Sequence, residues 1–218
     1  MNLVTSPSSA TPQPSALSSA SVASAANSLY DRIWFTRSAR IQSEKRLLRN
    51  EHHSQLLLIL YTIYSIALSA ILMKFKPITD DQGAVFGLIL SVALFGLSFH
   101  LTARGFLARA QRFRECYTQL QGLLDRITVA RCYVDERRLL ETVEAVQVEY
   151  QSLLAVCENH ATIDDRRARF ANNGLTSRIP TAWENIYVSL HAIGRHVFLA
   201  LLYLSPIVVM IYLMCVKK

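Results

Sequence analysis

The densest group of side chains able to do chemistry is Glu158, Asn159 and His160, with Asp164 and Asp165 just beyond and Glu149 a few turns upstream. A histidine beside carboxylates can act as a general base or hold a metal ion. The spacing here meets neither need. No H-E-x-x-H sets two imidazoles on one helix face, and no G-x-S-x-G presents a nucleophile on a sharp turn. Seven glycines in 218 residues also leave little material for a phosphate-cradling loop. The same residues suit a helix terminus, where polar side chains satisfy free backbone groups. Catalysis, a resident metal and a cofactor are therefore not expected.

Arg166, Arg167 and Arg169 form a basic cluster, but no aromatic platform is interleaved with them for bases to stack on, so direct nucleic-acid binding is not expected either. Cys116, Cys132, Cys157 and Cys215 show no C-x-x-C pair and no histidines at zinc-finger spacing. They read as free, reduced thiols, three of them in a segment placed inside the cell below, where disulfides are disfavoured.

The elements that must position these groups are dominated by lipid. Half of the residues are hydrophobic, only 18% are charged, and the apolar excess sits in three blocks. Residues 54–103 contain two uncharged runs joined by K-F-K-P-I-T-D-D. Each run has the about twenty residues a helix needs to cross a ~30 Å hydrocarbon layer, which predicts a transmembrane hairpin. Residues 195–218 carry a third run, predicted to span as well, with Pro206 kinking rather than forbidding the helix. The fold class expected is an all-α membrane protein: an N-terminal transmembrane hairpin, a cytoplasmic helical region and a third C-terminal transmembrane helix.

Residues 1–28 are nearly all Ser, Ala, Pro and Thr without a charge, and read as a disordered tail. Residues 29–53 read as a basic amphipathic helix entering the membrane, with Leu29, Ile33, Trp34, Ile41 and Leu48 roughly on one side and Trp34 and Phe35 available to the headgroup level. That helix either lies on lipid or packs on the chain's own cytoplasmic part. Six Lys and Arg precede the first span, Lys74 and Lys76 lie in the turn, and Arg104, Arg109, Arg112 and Arg114 follow the second. The turn then faces outward, and the N-terminus and residues 104–194 face the cytoplasm. The formal charge of +7 is matched more cheaply by anionic lipid headgroups than by nucleic acid.

In residues 104–194, Phe106, Phe113, Leu120, Leu124 and Ile127, then Leu139, Val143, Val146, Tyr150, Leu153 and Cys157, recur at threes and fours. They predict a helical pair or a long bent helix, broken near Tyr133 to Asp135, whose apolar stripe needs a partner in this chain or in a neighbouring subunit. Residues 162–180 are polar, with a turn at Asn172, Asn173 and Gly174, and Thr181 with Glu184 forms a capping box where a helix restarts.

Polar residues within the hairpin are aligned. Tyr61, Thr62, Ser65 and Ser69 share a stripe of the first span, and Gly83, Gly87, Ser91, Ser98 and Thr102 share one on the second. Gly83 and Gly87 also make a G-x-x-x-G spacing that lets backbones approach. These residues either pack helices together or line a water path between several hairpins. No carboxylate or lysine lies inside either span, against a proton pump or a strongly charge-selective filter.

Trp34, Thr36, Arg37, Arg40, Glu44, Arg46 and Leu47 spell W-x-T-R-x-x-R-x-x-x-E-x-R-L just before the hairpin. Beyond it come Glu149 and Tyr150 in E-Y-x-x-x-L, then Asn159 and His160 in E-N-H, then Asp164. Over residues 29–165 this order resembles the SLATT domain family, two-transmembrane effectors of bacteria found with nucleotide-signalling and reverse-transcriptase defence systems. The resemblance implies an oligomer in the inner membrane that forms a pore and arrests an infected cell when an upstream sensor component signals phage. It implies structural or gating roles for the motif residues and no active site. The third apolar run and the Ser/Ala-rich tail depart from the two-span plan. A second reading is a non-conducting scaffold or receptor whose cytoplasmic helices recruit a partner.

Overall fold

The computed structural model describes residues 19–75, 80–171 and 181–215. Among these residues every regular element is an α-helix: α1 Ser19–Phe75, α2 Asp80–Arg104, α3 Phe106–Ala130, α4 Glu136–Val156, α5 Thr162–Ala171 and α6 Ala182–Cys215. The chain is an all-α membrane protein. Three of its helices are long and apolar enough to cross a bilayer, and their large side chains point outward. Ile66 is 67% exposed and Phe95 75%, an inversion of globular burial that only a lipid solvent makes favourable.

The remaining helices bury their apolar residues in the ordinary way. On the N-terminal half of α1, Val22, Ala26, Leu29, Ile33, Arg40, Ser43 and Leu47 are all buried. With Thr36 they recur at alternating intervals of four and three, the spacing that keeps one stripe of a helix on a neighbour. The neighbours are α3 and α4, whose Leu120, Leu123, Leu124, Ile127, Val143, Val146 and Tyr150 close around Ala26, Leu29 and Ile33. A second, smaller apolar cluster of Leu47, Ala110 and Phe113 lies nearer the membrane. The stripe of α3 and α4 thus finds its partner in α1 of the same chain.

Four details depart from the sequence expectation. The helix begins at Ser19 rather than at 29: Val22 is buried, and Ala26 is small enough to bury in the cluster formed with α3 and α4; residues 1–18 of the expected tail lie outside the described residues. Phe35 is buried, with the Arg169 guanidinium 5.6 Å from its ring, and Trp34 packs against the larger cluster, so neither is left to the headgroups. Leu48 is exposed and Leu47 takes the buried position. Residues 162–171, read only as polar, form α5, which buries Asp164 and Ala168; the expected turn at Asn172 to Gly174 lies outside the described residues.

The helix junctions follow local chemistry. Asp135 accepts a hydrogen bond from the Arg137 amide and caps α4, ending the break expected at 133–135. Thr181 and Glu184 form the reciprocal capping box, at 3.0 and 3.3 Å. Between α2 and α3 stands Gly105 at φ 54° and ψ 40°, a left-handed position that turns the second span into the bundle. Pro206 is accommodated inside α6.

Candidate functional site

Between the two apolar clusters of the bundle lies a polar layer, filled largely by residues of the sequence motif. Along the buried stripe of α1, Thr36, Arg40 and Ser43 interrupt an otherwise apolar series. Each meets a polar partner from another helix. The Thr36 hydroxyl is 2.8 Å from the Tyr150 hydroxyl on α4. The Arg40 guanidinium, only 2% exposed, lies against the Cys116 sulfur on α3. Ser43 donates to Asp164 Oδ2 at 2.8 Å, while Arg46 donates to both oxygens of the same carboxylate at 2.9 to 3.1 Å.

Asp164 is completely buried. Taking a carboxylate out of water costs several kcal/mol unless charge and hydrogen bonds replace the solvent, and the Arg46 fork with the Ser43 hydroxyl does so. Glu44 accepts from Arg114 at 3.0 Å on the outer flank of the layer, and Arg109 pairs with Glu158 at the start of the loop after α4. These ties join α1, α3, α4 and α5 at one level.

α5 also reaches toward the third span. Arg169 bonds Asp165 at 2.7 Å within α5 and Glu184 at 3.3 Å on α6, and the Arg166 guanidinium sits 4.4 Å over the Tyr187 ring. Ten residues therefore clasp the base of the helix that becomes the first span to the base of the helix that becomes the third. Of the arginines considered for nucleic acid, Arg166 and Arg169 are engaged within the chain.

His160 lies at the edge of this layer, its Nε2 3.9 Å from Asp165 Oδ1 and its Nδ1 buried without a hydrogen-bond partner. Burial holds its pKa below the ordinary histidine value; Asp165 and Asp164 pull it upward and Arg40 pushes it further down. Asn159 is exposed beside it. Arg37 is half-buried with its Nε unpartnered, and Glu149 pairs with Arg126 on the bundle surface. Of the twelve motif residues, Thr36, Arg40, Arg46, Leu47, Tyr150, His160 and Asp164 thus converge on the layer or the apolar cluster next to it. Glu44 and Trp34 flank it, and Arg37, Glu149 and Asn159 lie outward. Ser43, Arg109 and Glu158 complete it without having been singled out for this role. Ser43 could have been found from its place in the four-three series of α1. Among the described residues no group of three or more His, Cys, Asp or Glu side chains could hold a metal ion.

Two of the four cysteines correct the expectation of free thiols. Cys116 and Cys157 are joined as a disulfide across α3 and the end of α4, their Cα atoms 6.3 Å apart, within the range a bridge requires. Cys157 had been placed on the apolar stripe of the second helix; Cys116 is buried on the face of α3 that meets it. Cys132 and Cys215 are free and exposed.

The aligned polar residues of the hairpin separate into two groups. The Tyr61 hydroxyl meets the Leu202 carbonyl at 3.1 Å and the Ser205 hydroxyl at 2.8 Å, tying the first span to the third. Tyr61, Ser65, Ser205 and Pro206 border a mostly apolar cavity of about 190 Å³ between the three spans. Thr62, Ser69, Ser91 and Thr102 each donate to a backbone carbonyl one turn earlier, those of Leu58, Ser65, Gly87 and Ser98. Gly83, Gly87 and Ser98 are half-buried, but a Cβ placed on Gly87 meets nothing within 4 Å, so among the described residues no helix uses that glycine for close approach.

A family model, SLATT_5, the SMODS and SLOG-associating 2TM effector domain family 5, matches residues 22–213. The matched region takes in all three apolar helices and the whole bundle. No curated protein and no solved structure matches the chain.

Proposed function

Because the chain belongs to the SMODS and SLOG-associating 2TM effector domain family 5, we propose that it is the membrane-acting component of a bacterial anti-phage defence system. In this reading an upstream sensor, a nucleotide-signalling or reverse-transcriptase component, acts on the helical bundle. Copies of the chain then assemble in the inner membrane, with the N-terminus on the cytoplasmic side, and open a pore that arrests the infected cell. The protein is not an enzyme in this scheme; its motif residues set the position of helices.

The observation that carries the proposal is the continuity of α1, a single helix of 57 residues that begins in the bundle and ends at the far side of the first span. At 1.5 Å per residue it is about 85 Å long. A displacement of the bundle moves the first span with it, and the Arg46, Asp164, Arg169 and Glu184 ties extend that coupling to α6. One chain alone offers no polar passage among its described residues, since the hydroxyls of Thr62, Ser69, Ser91 and Thr102 are satisfied by their own helices, that of Tyr61 by the third span, and the cavity between the spans is mostly apolar. Conduction therefore requires several chains.

The test is induced expression, with the trigger system active, in bacteria carrying a membrane-potential dye. Depolarisation and growth arrest are expected, and unchanged potential and growth overturn the proposal. The second reading, a non-conducting scaffold that recruits a partner, is favoured by the self-satisfied hydroxyls of Thr62, Ser69, Ser91 and Thr102, which need no water. Bulky replacements at Ser65, Ser91 and Ser98 separate the two: a water path is blocked or altered, whereas a scaffold keeps its activity.

A further inference from the structure

Where the bundle meets the spans, a second cavity of about 590 Å³ opens between α1, α2, the start of α3 and α6. This is within the ~300–1,000 Å³ range of small-molecule sites. Its walls are apolar, Leu57 and Leu101 facing Phe198 and Leu202, but its bundle-side end carries His53 and Arg195. Arg195 does not stand alone: the like charges of Arg49, Arg167 and Arg46 all act on it. Arg46 is committed to Asp164. Arg49, Arg167 and Arg195 form no ion pair with any carboxylate of the described residues, and Arg167 keeps a buried Nη1 without a hydrogen-bond partner. Burial, then Arg49 and Arg46, hold the Arg167 pKa below its ordinary value against the pull of Asp164.

Of these three guanidinium groups from three helices, Arg167 and Arg195 are partly desolvated and Arg49 is exposed, and like charges so placed with no free counter-charge among the described residues are unfavourable until an anion enters. Arginine forks suit phosphate oxygens. A free phosphate would satisfy the cations and leave the adjoining apolar walls uncovered. A phospholipid satisfies both, because basic pockets between spanning helices sit at the depth of the headgroup while acyl chains continue into the hydrocarbon. We propose that this is a binding site for one anionic phospholipid, with its phosphate held by Arg49, Arg167 and Arg195 and an acyl chain in the cavity lined by Leu101 and Phe198. The lipid then bridges α1, α5 and α6 at the level where α5 already clasps them.

The full-length chain, purified in mild detergent, is incubated with phosphatidylglycerol or phosphatidylcholine, and retained lipid is counted by native mass spectrometry. Phosphatidylglycerol is expected to be held at least about tenfold more tightly, a difference of 1.4 kcal/mol, and the paired changes Arg167→Gln and Arg195→Gln should abolish that preference. Leu101→Trp, which fills the cavity and leaves the charges, should weaken retention on a chain whose helical content and thermal transition are unchanged. Equal retention of the two lipids, or a preference that survives the arginine changes, overturns the proposal. Displacement of phosphatidylglycerol by excess inorganic phosphate, with Leu101→Trp without effect, assigns the arginines to free phosphate and also overturns it. The readout is independent of pore activity.

Discussion

Arg46 on α1 grips both oxygens of Asp164 on α5, a carboxylate with no exposure to solvent and 118 residues away in the chain. Removing one partner of such a pair leaves the other buried and uncompensated. Asp164→Asn is therefore expected to destabilise the bundle by about 3 kcal/mol, whereas replacing both partners by well-packed apolar residues recovers most of the loss. A double-mutant cycle on the detergent-solubilised chain measures it; additive single changes would show that the pair is not coupled.

His160 supplies a pH dependence of defined sign. Its pKa is depressed in the folded chain, so the folded state binds fewer protons than the unfolded state below the ordinary value of 6.5. Stability is complete above that pH and falls progressively as pH drops through it toward the folded pKa. His160→Gln should flatten this slope in thermal scans taken at successive pH values. A slope that persists unchanged would place the titration elsewhere.

Gly105 stands in a left-handed conformation with open space where a side chain would be. Only backbone strain opposes substitution there. Gly105→Ala should cost about 1 kcal/mol, and Gly105→Asn less, because asparagine tolerates this region. Denaturant midpoints of the two variants, compared in one detergent, check the order.

The cysteines give a labelling pattern. Alkylation of the unfolded chain without reductant should modify Cys132 and Cys215 alone, and prior reduction should add Cys116 and Cys157, read as a mass difference. With the bridged positions 41 apart in sequence, Cys157→Ser should lower the stability of the oxidised chain by about 4 kcal/mol in the chain-entropy account. Labelling of all four thiols without reductant would refute the bridge.

The spans, the break before Asp135 and the capping box at Thr181 were legible because each depends on residues close in sequence: a continuous apolar run, a polar interruption, a pair three positions apart. The polar layer was not. Arg40, Ser43 and Arg46 look like the wet side of an amphipathic helix until Asp164 and Cys116 arrive from distant segments. The motif order around the hairpin still marked several of them, although not what they touch. The early start of α1 was hidden for a related reason. Val22 and Ala26 among Ser and Ala carry no local signal of burial, and for Ala26 it is the cluster formed with α3 and α4 that selects a small side chain.

The two ends of the hairpin are jointed differently to the bundle. α1 enters without interruption, but α2 leaves through the single left-handed residue Gly105. A tilt of the bundle must swing the first span like a lever, while the second pivots about one hinge. The angle at which the two spans scissor is thus set from outside the lipid.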